Sequence, residues 1–314
     1  MYPNTTNLLI SNKMSLVKKI AILSLALGIN CIEAYAQEER NSGFVKESGT
    51  MAERWELGDS NHKGFFIITP YKPVYVTAGR YSTNPNGRPT SENPKYSLPF
   101  SIGYNNYESK FQFSFKTKMA RRIFWGKGDL WAAYTQKAHW QIYNAELSRP
   151  FRELNYEPEI ILNFPTNYQI LGFKGSMVGV AFNHQSNGRV LPLSRSWNRV
   201  IFQAGFERKN WQITLKPWIR LKDEEDENPA ISDFTGRGET IIVYNYKKYQ
   251  FSAVAAHSLR FKNGGRGSLQ LNGVFPVWQN LYGQLQVSDG YGETLQDYNH
   301  RQQTIGVSVS LVNW

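Results

Sequence analysis

The chain has 314 residues, a formal net charge of +11 and one cysteine, Cys31, so residues 32–314 hold neither a disulfide nor a thiolate. The basic residues are spread along the chain and not clustered, which argues against nucleic acid and for a surface facing anionic lipid headgroups. After residue 36 no apolar run reaches the roughly 18 residues of a membrane-crossing helix, yet aromatics make up 14% of the chain, a composition that suits a barrel whose strands meet lipid with every second residue.

In chain order, Lys13, Lys18 and Lys19 precede the apolar run Ile20 to Ile29, which ends in Ala34-Tyr35-Ala36. That pattern predicts a secretory signal peptide over residues 1–36. Residues 37–70 read as a polar N-terminal extension, and 71–314 as one transmembrane domain, because no linker or repeat divides them. Alternation with period two predicts strands at 71–79, 109–118, 128–138, 157–164, 169–184, 197–208, 210–221, 239–247, 249–260, 267–275, 280–288 and 302–312. The expected fold is all-β: an antiparallel transmembrane β-barrel of about twelve strands. A further strand around Phe100 to Tyr107 would upset the even count.

Connections near Pro165 to Tyr168, Lys209, Lys248 and Pro276 to Gln279 are short and read as periplasmic turns; 139–156, 185–196, 222–238 and 289–301 are mostly long and read as extracellular loops. The segment 119–127 is longer than this scheme expects. The chain ends in Trp314, which falls on the opposite phase from the apolar row Ile305, Val307, Val309 and Leu311.

One place breaks the apolar exterior. Val178, Val180 and Phe182 share a phase that continues into His184 and Ser186, and Asn198 heads the row Val200, Phe202, Ala204 and Phe206 of the next strand. Unpaired polar groups on a lipid-facing wall cost several kcal/mol, and a mutual hydrogen-bonded cluster removes that cost. A hydroxyl, an imidazole and a carboxamide so placed follow the logic of a serine-hydrolase triad with a neutral third member. The same three also read as ordinary polar groups of the membrane rim. A non-enzymatic pore or lipid transporter is then the alternative, although the inward set of Trp131, Arg199, Gln203, Glu207 and Arg220 would fill a pore of this size. The six carboxylates between Asp223 and Asp233 lack the spacing of a calcium-binding EF-hand and read as a solvated loop. His139 and His257 read as structural.

The strings Asn183-His184-Gln185-Ser186-Asn187-Gly188-Arg189 and Ser194-Arg195-Ser196-Trp197-Asn198-Arg199 closely resemble outer membrane phospholipase A. So do Tyr134-Thr135-Gln136, Pro150-Phe151-Arg152-Glu153, Asn155-Tyr156-Glu157-Pro158, Lys216-Pro217-Trp218 and Gly290-Tyr291-Gly292-Glu293. The resemblance, from about Tyr71 to the end, implies a twelve-stranded outer-membrane barrel. It implies hydrolysis of the sn-1 and sn-2 acyl esters of phospholipids and lysophospholipids on the outer-leaflet side. It makes Ser186 the nucleophile, His184 the general base and Asn198 the residue orienting the imidazole, with the Gly188 amide in the oxyanion hole. It also implies Ca2+ at the interface of an active homodimer, bound by the Arg189 carbonyl and the Ser194 hydroxyl together with Ser148 of the partner subunit, and Gln136 as an intersubunit contact. Gln185 and Leu191 depart from the family pattern, standing where some relatives carry carboxylates.

Overall fold

The computed structural model describes residues 49–124, 126–260 and 264–314, so the expected signal peptide, 1–36, lies outside the described residues. Thirteen strands form one antiparallel sheet: β1 (Ile68–Pro70), β2 (Val74–Ser82), β3 (Tyr107–Ala120), β4 (Asp129–Trp140), β5 (Phe151–Ile170), β6 (Phe173–Ser186), β7 (Ser196–Arg208), β8 (Trp211–Leu221), β9 (Gly238–Tyr246), β10 (Tyr249–His257), β11 (Gly267–Trp278), β12 (Leu281–Gly290) and β13 (Gln302–Val312). Each strand from β2 to β13 pairs with its sequence neighbours, and β13 pairs back onto β2, closing a twelve-stranded barrel. The short β1 adds to β3 alone. The segment 100–106 is not a strand, so the even count stands.

The barrel is inverted relative to a water-soluble fold. Along β13 the outward Ile305, Val307, Val309 and Leu311 are exposed, while Thr304, Gly306, Ser308 and Ser310 are buried inside. On β3 the buried row is Glu108, Lys110, Gln112, Ser114, Lys116 and Lys118. An apolar exterior of this extent requires hydrocarbon around it. Hydroxyl pairs between strands satisfy much of the lumen wall, as in Thr77 with Ser308 at 2.7 Å, Ser114 with Thr135 at 2.7 Å and Ser288 with Thr304 at 2.6 Å. Val307→Arg, near mid-strand on the lipid face, is therefore expected to cost roughly 2–4 kcal/mol. Heat-modifiable migration after refolding into vesicles measures it, and an unchanged folded fraction in urea would contradict this orientation.

Two-residue turns at 171–172, 209–210, 247–248 and 279–280 join strands at one end, each opening on a residue with positive φ (Leu171, Lys209, Lys247, Gln279). Two of these correct the sequence reading, which put turns at Pro165–Tyr168 and Pro276–Gln279. Instead β5 runs through Pro165 to Ile170 and β11 through Pro276 to Trp278, with a register shift beside each proline. Proline lacks the ladder donor, but a bulge does not require one, so it irregularises the strand without ending it. The first barrel strand, β2, also begins three residues later than expected, at Val74, and β10 stops at His257.

Of the segment 37–70, residues 49–57 enter the tight-turn end of the lumen. Helix α1 (Met51–Arg54) starts on a Thr50–Glu53 capping box. The Met51 amide donates to Glu207 Oε1 at 2.6 Å, and Gln212 donates to the Gly49 carbonyl at 2.8 Å. Gly205 makes room: a Cβ there would lie 2.4 Å from Met51 Sδ. Trp55 then packs edge-on against Tyr71 and Trp131, within a cluster that includes Ile161, Met177 and Ile201. Trp314 turns inward at this end, where its carbonyl accepts from Gln250 and its amide donates to the same side chain. This accounts for its phase: it is tied to the lumen wall.

The opposite end is closed by the loops 83–106, 187–195, 222–237 and 291–301, the third containing helix α2 (Ile231–Phe234). Trp197, Ile231, Leu295 and Tyr298 form a second apolar cluster. Arg195 donates to the Tyr96 carbonyl at 2.6 Å and Arg152 to Asp297 at 2.9 Å. Tyr298 donates to Glu92 at 2.6 Å, and burial, reinforced by that carboxylate, pushes its phenol well above its usual range. Between the two plugs lies a polar cavity lined by paired charges such as Lys72, Glu157 and Arg199. Side chains thus fill both mouths, where an open pore needs space.

Candidate active site

The site lies where β6 and β7 approach the long-loop end. Their register sets His184 opposite Asn198, Ser186 opposite Ser196 and Asn183 opposite Arg199. The inward residues hold this register. Arg199 donates to Asn183 Oδ1 at 2.7 Å and to Glu157 at 3.1 Å, and its guanidinium lies 4.1 Å from the centre of the Trp197 ring. A slip by one residue would turn this buried set outward and His184, Ser186 and Asn198 inward.

On the outward face, His184, Ser186 and Asn198 are each partly buried. His184 Nδ1 and Asn198 Oδ1 are 2.8 Å apart, the hydrogen bond of an imidazole whose Nδ1–H donates to a carbonyl. Among the described residues the Ser186 hydroxyl is not hydrogen-bonded to His184; it lies two positions along the same strand and face. Below the site the wall is apolar: Ile160, Phe182, Phe202 and Ile219 are all exposed.

Gly188 has φ +62, and a Cβ there would come within 3.1 Å of the Tyr156 ring. Glycine takes this conformation without strain, and among the described residues its N–H has no protein acceptor. Asn187 shapes the loop by accepting from the amides of Arg189 and Arg195 at 3.3 and 2.9 Å. Arg189 is held by its side chain, which donates to the Phe151 and Arg152 carbonyls at 2.6 and 3.0 Å.

The remaining residues singled out in the sequence fall as follows. Ser194 lies in the same loop, its hydroxyl donating to Glu227 Oε1 at 2.7 Å. Ser148 is exposed in the loop 141–150, at the same end of the barrel. Gln136 is outward on β4, where the Tyr134 hydroxyl donates to it at 3.4 Å. The two histidines set aside hold structural positions: His139 is fully buried against Glu108 at 2.8 Å, and the His257 ring accepts from the Leu259 amide at 3.0 Å.

The acidic run differs from its reading as a solvated loop. Glu225 is exposed beside Lys95, but Asp226 pairs with Arg220 at 2.6 Å, Glu227 engages Ser194, and Asp223 Oδ1 accepts from Asn198 Nδ2 at 2.9 Å. The one sequence signal for Asp223 was its position two residues beyond Leu221, the cross-strand neighbour of Asn198 on β8.

Comparisons with known proteins give the family and the fold. The family model described as Phospholipase A1 matches residues 51–311. A phospholipase A1 of Escherichia coli K12 is 39% identical over 292 residues, covering 93% of this chain and 96% of that protein. One from Proteus vulgaris is 34% identical over 250 residues, covering 80% and 83%. Among solved structures, outer membrane phospholipase A from Escherichia coli matches with a TM-score of 0.71 at 33% identity, over 80% of this chain and 94% of that one. The outer membrane phospholipase of Salmonella typhi, solved as a dimer with bound calcium, matches with the same TM-score, 0.71, at 33% identity, over 80% of this chain and 94% of that one. A closed twelve-stranded barrel with an apolar exterior, carrying these motifs in this order, belongs to the phospholipase A1 family of the outer membrane.

Proposed function

We propose that this barrel hydrolyses the sn-1 and sn-2 acyl esters of glycerophospholipids and lysophospholipids in the outer leaflet, acting as a calcium-dependent homodimer. The observation that carries the reading is the 2.8 Å bond between His184 Nδ1 and Asn198 Oδ1 on the lipid-facing wall. With Nδ1–H donating to Asn198, the lone pair of the neutral imidazole is on Nε2, the atom that would take the Ser186 proton. Ser186 Oγ attacks the ester carbonyl as its proton passes to His184 Nε2. The Gly188 N–H meets the oxyanion, a contribution of a few kcal/mol for such donors. His184 then returns the proton to the leaving alcohol, and water releases the fatty acid by the same route in reverse. The apolar wall of Phe182, Phe202 and Ile219 lets acyl chains approach without leaving hydrocarbon.

The donor set suits a hard cation. The Arg189 carbonyl and the Ser194 hydroxyl would hold Ca2+ together with Ser148 of the partner subunit, and Glu227 beside Ser194 keeps its Oε2 buried without a hydrogen-bond partner. Oxygen ligands with retained waters fit calcium. Bound there, the cation would polarise the ester carbonyl. Such a shared site makes the monomer incomplete, with Gln136 contributing to the contact in the membrane, so activity follows a shift from monomer to dimer.

Chelation of calcium is therefore expected to reduce hydrolysis of phosphatidylethanolamine in mixed micelles by roughly 100-fold, a Lewis-acid contribution being several kcal/mol. Barrel migration on gels stays unchanged and added calcium restores the rate. Full activity in excess chelator, or equal activity of crosslinked dimer and isolated monomer, would remove the metal and dimer parts of this reading.

A further inference from the structure

Asn198 makes two side-chain hydrogen bonds in opposite directions. Its Oδ1 faces His184 Nδ1 at 2.8 Å, and its Nδ2 donates to Asp223 Oδ1 at 2.9 Å. The two ends of a carboxamide have nearly the same shape, so packing alone does not choose between the two flips of this side chain. A carboxylate does choose, because an ionised carboxylate accepts and never donates.

We infer that Asp223 is a positioning residue that fixes the Asn198 amide and, through it, the tautomer of His184. This inference rests on the triad reading above. With Asp223 in place the NH2 end points to the carboxylate and the oxygen to His184, so Nδ1 carries the proton and Nε2 is the free base. With Asp223 removed the amide flips without penalty. The flipped form presents NH2 to Nδ1, makes Nδ1 the acceptor and leaves the proton on Nε2, where the imidazole cannot take one from Ser186. A wrong tautomer of this kind is disabling when fully populated in triads with a carboxylate third member.

The arrangement follows from the strands. Asn198 pairs with His184 on β6 and with Leu221 on β8, and Asp223 continues β8 by two residues into the loop 222–237. It is thus the diagonal neighbour of Asn198 on the outward phase. A neutral triad acquires a carboxylate one hydrogen bond further out. There its charge orients the amide without lying against the imidazole.

The test compares Asp223→Ala and Asp223→Asn with the unaltered barrel and with Ser186→Ala, on phosphatidylethanolamine mixed micelles with calcium titrated. Asp223→Ala is expected to lower kcat roughly 3- to 10-fold, because a free neutral imidazole favours the proton on Nε2 and the active tautomer becomes the minor one of the two, with KM and the half-saturating calcium concentration unchanged. Nitrogen NMR of the His184 ring is expected to move from the Nδ1–H form to a mixture. Asp223→Asn, which presents either end of its own amide, gives a smaller loss and also a mixture, and it serves where the alanine variant fails to fold. A single Nδ1–H form with kcat within twofold of the unaltered barrel in either folded variant overturns the inference. So does a loss that high calcium restores, since that would make Asp223 a metal ligand. An active Ser186→Ala variant overturns the triad reading and this inference together. An inactive Ser186→Ala beside a fully active Asp223→Ala overturns this inference alone.

Discussion

Ser186→Ala is expected to lower phospholipid hydrolysis by roughly 10⁵- to 10⁶-fold, the loss seen when a triad nucleophile is removed from a serine hydrolase, while leaving the folded barrel intact. The serine projects from the outward face of β6 near the strand's end, so its loss removes no buried hydrogen bond among the described residues. Ser196 offers the sharpest control. It is the cross-strand partner of Ser186 and likewise partly buried, so strand phase alone would admit it as a rival hydroxyl. The difference is that Ser186 shares a strand with His184, whereas Ser196 shares one with Asn198. Ser196→Ala should therefore keep at least about half the activity, given the usual small effect of a surface substitution. Release of fatty acid from micelles, read alongside heat-modifiable migration, measures both variants. Turnover by Ser186→Ala at more than about a hundredth of the normal rate, well above the residual expected of such a variant, would remove the nucleophile assignment.

Glu108→Ala is expected to destabilise the barrel by roughly 3–5 kcal/mol, the cost of stranding buried charges. Inside the lumen this carboxylate accepts from Arg80 Nη1 at 2.6 Å, from Arg152 Nε at 3.0 Å and from Gln141 at 3.2 Å, and it meets His139 Nδ1 at 2.8 Å. Arg80, Arg152, Gln141 and His139 are almost wholly buried. Arg152 would retain Asp297 at 2.9 Å, but Arg80 would keep only the longer contact to Glu293 at 3.5 Å. Glu108→Gln preserves the shape and loses only the charge, and should fall between. Urea unfolding in vesicles checks the order, and a loss below about 1 kcal/mol for the alanine variant would show that water relieves the stranded guanidinium groups.

The same network responds to acid through Glu293, in the loop 291–301. Burial works to raise its carboxyl, but Lys110 and Arg80 outweigh burial and hold it well below the usual carboxylate range. A depressed folded-state value means the stabilisation is present above the unfolded carboxylate value, about 4.3, and is lost as pH falls through the folded one. Acid titration is therefore expected to loosen this end of the barrel only well below pH 4.3, and Glu293→Gln to remove that acid-dependent step.

The features legible in the sequence were those written into neighbouring residues. Period-two alternation depends only on which side of a strand each residue faces, so it revealed the barrel, the lipid-facing rows and the outward phase of His184, Ser186 and Asn198. The prolines misled because a turn and a bulge make the same local demand, absence of a backbone donor, and only the pairing of Pro165 with Met177 and of Pro276 with Tyr282 tells them apart. Acidic residues after Leu221 looked like a solvated run because the partners of Asp223, Glu225 and Glu227, namely Asn198, Lys95 and Ser194, lie far from them in the chain.

What the tertiary structure alone decided is which distant residues meet. Strand β13 closes on β2, Met51 sits against Gly205, Arg152 reaches Asp297 across 145 positions, and Asp223 takes the free end of Asn198. Periodicity gives each residue a direction, inward or outward, but assigns no partner. Partners follow from the register of paired strands and the curvature of a closed sheet, which exist only once all twelve strands have met.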